Sequence, residues 1–201
     1  MENTIDLHYF WNQSVTYQEY KELITQQEEQ DKNSEDEEKR KLADYIHLNL
    51  SRIHRNDKTI KLDEATVAGL KSISKKINIL VISEGWCGDA AQSVPVVNKL
   101  AESSDKIELK IFFRDKDERL INKYLTRGGK AIPIVIILDQ DFKEIAHWGP
   151  RPKPLQPFLD KYKAQPETYT HDDFAKDLQN FYNTDKGQTI SHEILHLIQG
   201  V

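Results

Sequence analysis

The stretch EGWCGDAAQ, residues 84–92, contains the one cysteine of the chain, Cys87, so any thiol chemistry must run through a single sulfur. It follows a buried-type strand pattern, INILVIS, and precedes a segment with helical apolar spacing through Val94, Val97 and Leu100. Unpaired N–H groups at a helix start favour thiolate over thiol, and the thiolate is the nucleophile. Asp89 in the same first turn and Glu84 just upstream act the other way, because nearby negative charge disfavours ionisation. The net direction stays open at this level. A thiolate at Cys87 attacks a disulfide to give a mixed disulfide, and with no second cysteine an external thiol must release it. This is monothiol exchange, with glutathione, another small thiol, or a protein thiol or disulfide as the partner.

A rival chemistry sits at the other end of the chain. HEILH, His192 to His196, matches the H-E-x-x-H spacing that places two imidazoles one helical turn apart with a glutamate as base. Only LIQGV follows, leaving no downstream third ligand, and the apolar stripe Ile190, Ile194, Leu197 and Ile198 turns both histidines away from the core. An exposed helix face is the expected reading, zinc hydrolysis the remote alternative, and no metal or other cofactor is expected.

Composition narrows the field. The 201 residues are 38% hydrophobic and 30% charged, with a net charge of −5, which describes a folded domain with a charged surface. That balance gives no positive field for nucleic acid. The longest apolar run, within IPIVIIL, is too short to span a bilayer, and the start of the sequence lacks a secretory pattern. With no internal disulfide available, the expected location is the cytoplasm.

The elements that must position Cys87 follow in order. Residues 77–83 form a strand, AQSVPVVNKLAESS a helix, KIELKIFF a strand and DERLINKYLTRGG a helix capped by Asp115 or Asp117 and ended by Gly128–Gly129. IPIVIIL and FKEIAHW then make a hairpin across DQD, and PLQPFLDKYK closes the unit with Leu155, Phe158, Leu159 and Tyr162 on one face. His147 and Trp148 pack at the end of that hairpin, before a connection stiffened by Pro150, Pro152 and Pro154. Before the unit lie TYQEYKELI, EEKRKLADYIHLNLSRI with Leu42, Tyr45, Ile46 and Ile53 inward, and DEATVAGLKSI opened by Asp63; the charge run EEQDKNSEDEEKRK is solvated. HDDFAKDLQNFY and SHEILHLI are helices after it.

Trp86–Cys87–Gly88–Asp89–Ala90, Pro95 inside the following helix, and Ile132–Pro133 opening the last strand pair together resemble the thioredoxin superfamily over roughly residues 77–163. The resemblance implies an α/β, thioredoxin-like fold: a central mixed β-sheet flanked by helices, with helical N- and C-terminal extensions. One domain over 1–201 is expected, with extensions 1–76 and 164–201 around a core of 77–163. It also implies a cis bond at Pro133, a substrate groove formed by Ile132, Pro133 and Trp86, and a site made of Cys87, Trp86, Gly88, Asp89 and Pro133. For Asp89, stabilisation of the helix start is favoured over proton transfer. Two departures matter: Ala90 stands where the family has its resolving cysteine, and Val81 where it has a buried acid. The expected function is monothiol exchange, against a redox-inactive binding module as the alternative. A disulfide-linked pair of chains through Cys87 stays open, as does the oligomeric state.

Overall fold

The computed structural model describes residues 5–200. Helices α1 (Leu7–Asn12), α2 (Tyr17–Asp31), α3 (Glu37–Thr59) and α4 (Glu64–Lys71) come first. Then come β1 (Ile77–Ser83), α5 (Gly88–Glu102), β2 (Ile107–Phe113), the single turn α6 (Glu118–Ile121), β3 (Ile134–Leu138), β4 (Glu144–Trp148) and α7 (Gln156–Ala164). Helices α8 (His171–Asp185) and α9 (Gln188–Gln199) follow. The sheet order is β2-β1-β3-β4, with β1 and β2 parallel and the other pairs antiparallel. This is an α/β, thioredoxin-like arrangement, a mixed sheet between helices. Among the described residues no helix is long and apolar enough to cross a membrane.

The sheet explains its own sequence. Every residue of β1 and of β3 is buried, as expected of strands with a neighbour on each edge and helices on both faces. The outer edge of β2 is covered where Val15 and Ile111 exchange backbone hydrogen bonds of 2.9 and 2.8 Å, which blunts an otherwise unpaired strand. Helix starts are marked by side-chain caps: Thr16 and Thr170 form reciprocal capping boxes with Glu19 and Asp173, and Asp36, Asp63 and Asp117 accept from first-turn N–H groups.

Three expectations are corrected. The helix over DERLINKYLTRGG is one turn long, ending at Ile121, and the chain then turns through Arg127 and Gly128 at positive φ (51° and 80°), where Thr126 pairs back on Gly129. The β3–β4 connection is wider than a tight hairpin: Asp139 Oδ1 accepts from the N–H groups of both Asp141 and Lys143, and Phe142 sits at φ 60°. On α3, Tyr45 points outward (49% exposed), while Ala43, Ile46, Asn49, Ile53 and Asn56 are buried.

Asn56 is buried for a reason that lies in α5. Pro95 has no N–H, so the carbonyl of Ala91 loses its partner one turn back. Asn56 Nδ2 supplies the missing donor at 3.0 Å and also reaches Gln92 Oε1 at 2.9 Å. Asn49 does the same for the loop ahead of Cys87, donating to the Gly85 carbonyl at 2.9 Å. Helix α3 is therefore hydrogen-bonded to both sides of the cysteine.

Gly149 carries a position that admits no side chain. Its φ is 123°, and a Cβ there would lie 2.3 Å from the Pro133 carbonyl oxygen. Gly149→Ala is expected to cost at least about 2–3 kcal/mol, read as a lower urea midpoint. Gly129→Ala, whose Cβ would meet nothing closer than 3.5 Å, should leave the midpoint nearly unchanged.

Candidate functional site

Strand β1 delivers the chain to the site through Ser83, whose hydroxyl lies 3.1 Å from the buried Tyr20 hydroxyl. Cys87 then stands at the N-cap of α5 with extended backbone (φ −82°, ψ 115°). Its residue is 8% exposed, and Sγ is 3.3 Å from the Ile132 carbonyl, the residue before Pro133. The Ile132–Pro133 bond is cis, as is Gly149–Pro150. The loop thus brings Cys87 against the segment that opens β3.

Burial pushes the Cys87 thiol up to about 12, and the Asp89 carboxylate adds to that rise. The N–H groups of Ala90 and Asp89 and the Arg151 guanidinium pull the other way. Hence the helix start does favour the thiolate, but exclusion of water outweighs it.

Asp89 is more than a first-turn carboxylate. It is buried, pairs with Arg151 Nη2 at 2.6 Å, and accepts from the Tyr182 hydroxyl at 2.9 Å. Burial drives the Tyr182 hydroxyl well above its usual range and Asp89 drives it further. The cluster ties the start of α5 to α8 and to the connection after β4. Sequence reasoning missed Arg151 and Tyr182, since both lie far along the chain and only the fold brings them to Asp89.

Glu84, read from sequence only as a charge near the thiol, is a buried acid. It is 5% exposed, and Oε1 accepts from the Asp115 N–H at 2.8 Å. Burial lifts it to about 7, with the Asp115 carboxylate adding to the rise and the Asp115 N–H and Arg114 opposing it. Val81, at the family's acid position, is a fully buried strand residue. Trp86 is half-buried with the Arg114 guanidinium 4.7 Å over its ring, and Gly88 lies under Arg52. Ala90 is fully buried.

Two of the three polar residues of HEILH are otherwise engaged. His192 Nε2 is 2.6 Å from Asp63 Oδ2, and Glu193 accepts from Trp148 Nε1 at 2.6 Å and from the Lys153 N–H at 3.0 Å, pinning α9 to the end of β4. His196 is exposed.

Comparison with known proteins agrees with the fold. A family model described as Thioredoxin matches residues 35–163, taking in α3 and α4 as well as the sheet. A protein of unknown function from Pseudomonas aeruginosa, solved by crystallography, superposes with a TM-score of 0.57 at 18% identity, covering 79% of this chain and 90% of that one. An HIV epitope scaffold superposes with a TM-score of 0.55 at 19% identity over 93% of this chain and 99% of its own. A search of curated proteins gives no match.

Proposed function

From the premise that this chain belongs to the thioredoxin family, we propose that it performs monothiol thiol–disulfide exchange through Cys87, from a resting state in which the sulfur is covered. The observation that carries this reading is the position of Cys87 at the N-cap of α5, beside the cis Ile132–Pro133 bond, where the helix start and the Arg151 guanidinium favour the thiolate. Once water or a substrate reaches the site, the desolvation that opposes them falls away.

The chemistry balances without a second cysteine. The Cys87 thiolate attacks one sulfur of a disulfide, an S–S bond forms, and the leaving thiolate takes up a proton. A second external thiol, deprotonated, then attacks the mixed disulfide and releases the Cys87 thiolate. Glutathione, another small thiol or a protein thiol fits both steps. Trp86, Gly88, Ile132 and Pro133 line the approach, and Asp89 holds Arg151 near the sulfur.

The test is incubation with oxidised glutathione followed by intact mass measurement, with Cys87→Ser as the control. A slow, complete adduct at Cys87 is expected. Its rate should still climb about tenfold per pH unit through pH 10, because a thiol pushed up to about 12 is only slightly ionised there. A plateau by pH 9 is incompatible with a covered sulfur.

One observation favours a second reading, a binding module without redox turnover: the sulfur is buried and directed at the Ile132 carbonyl. Absence of any native adduct, with full labelling after unfolding, selects that alternative.

A further inference from the structure

A cleft of about 400 Å³ runs between α3 and α8 beside the Cys87 loop. Its walls are Leu42, Tyr45 and Leu48 of α3 and Phe174 and Leu178 of α8. Tyr45 and Leu48 are 49% and 47% exposed, large apolar side chains left in water on one wall. Burying them offers about 25 cal/mol per Å² of apolar surface to whatever fills the gap.

Arg52 stands on the same lining. Its guanidinium is half-buried and donates to Asn49 Oδ1 at 3.0 Å, and among the described residues no carboxylate lies within ion-pair distance of it. Burial and the neighbouring Arg55 both depress its pKa, and the Asp89 carboxylate offsets them only in part. The nearby Asp89 is already committed to Arg151 and Tyr182. Gly88 is part of the arrangement: a Cβ there would stand 3.3 Å from Arg52 Nη1, so its absence lets the guanidinium lie close over the backbone.

We propose that this cleft binds a free monocarboxylate amphiphile, with the carboxylate on Arg52 and the hydrocarbon body between the apolar faces of α3 and α8. One unpaired guanidinium matches one negative charge, and a dianion would meet the Asp89 carboxylate, which shares the lining. The volume lies in the range of small-molecule sites. The site shares Trp86 and Gly88 with the approach to Cys87 but does not use its sulfur.

Calorimetric titration of the full chain with decanoate, below its micelle concentration, tests this. Saturable one-to-one binding is expected, retained in Cys87→Ser, weakened at least about tenfold in Arg52→Gln and weakened also in Leu48→Asp. Decyltrimethylammonium, with the same tail and the opposite charge, should bind at least tenfold more weakly to the unaltered protein. That comparison decides the matter if Arg52→Gln fails to fold. No saturable binding of decanoate, or equal affinity for the two head groups, overturns the proposal.

Discussion

Glu84→Gln should stabilise the protein by about 3 kcal/mol at pH 8 and leave its stability at pH 4.5 nearly unchanged. The carboxyl is lifted from 4.5 to about 7, chiefly by burial. A carboxyl whose pKa is raised on folding holds its proton more tightly in the folded state than in the unfolded chain. Its contribution is therefore whole below the unfolded value and is lost as pH rises through about 7. Glutamine keeps an oxygen to accept from the Asp115 N–H and never acquires the charge. Thermal melts at pH 4.5 and 8 check this. The unaltered protein should fall behind the variant by roughly 6–12 °C at pH 8, and an equal pH response in both would show that Glu84 ionises freely where it stands.

The second large effect centres on Asp89. Asp89→Asn leaves an acceptor for the Tyr182 hydroxyl but strands the Arg151 guanidinium, whose Nε is already buried without a partner. Removing one member of a buried ion pair costs about 3–5 kcal/mol. The same change removes the negative charge that raises the Cys87 thiol and loosens the tie between α5 and α8. Alkylation of Cys87 should accelerate severalfold as the opposing charge and the tie to α8 are lost. Tyr182→Phe, which leaves the ion pair standing, should cost about 1–2 kcal/mol and change alkylation far less. Iodoacetamide kinetics alongside urea melts separate the two outcomes. Unchanged alkylation in Asp89→Asn would mean that the thiol is covered by something other than this cluster.

What could be read from the sequence was what neighbours in the chain decide. β1 is an apolar run, interrupted by Asn78 and ending at Ser83, and the expected strand has the observed limits. Asp63 and Asp117 cap the helices they precede, and Pro95 falls inside α5. The short α6 shows where spacing misleads. Leu120, Ile121 and Tyr124 are all buried, as a helical face requires, yet the helix stops at Ile121 and the chain goes on to reverse at Arg127 and Gly128.

The site was legible at Cys87 and its immediate neighbours, but not in what encloses it. Asn49 and Asn56 look like solvent-facing residues of α3, and only the unpaired carbonyls of Gly85 and Ala91 explain their burial. One signal was present: a proline within a helix guarantees a carbonyl in need of a donor. Nothing local marked which asparagine would meet it. Arg151 sits in a proline-rich connection, and its charge acquires meaning only beside Asp89. The burial that lifts Glu84 and Cys87 depends on α2, α3 and α8 together, so no reading of residues 84–89 alone reveals it.

The pairing of Asn56 with the Ala91 carbonyl has a consequence for the order in which the chain folds. A helix normally completes its hydrogen bonds from within, on the timescale of local contacts. Here α5 lacks one internal bond at its proline and receives a substitute from a residue 35 positions earlier. The helix that bears the cysteine is thus finished only when α3 docks, and closing that loop carries an entropic cost that a self-sufficient helix avoids. Assembly of the thiol site and docking of the preceding helix are then one cooperative event, which makes α3 an integral part of the unit that folds around Cys87.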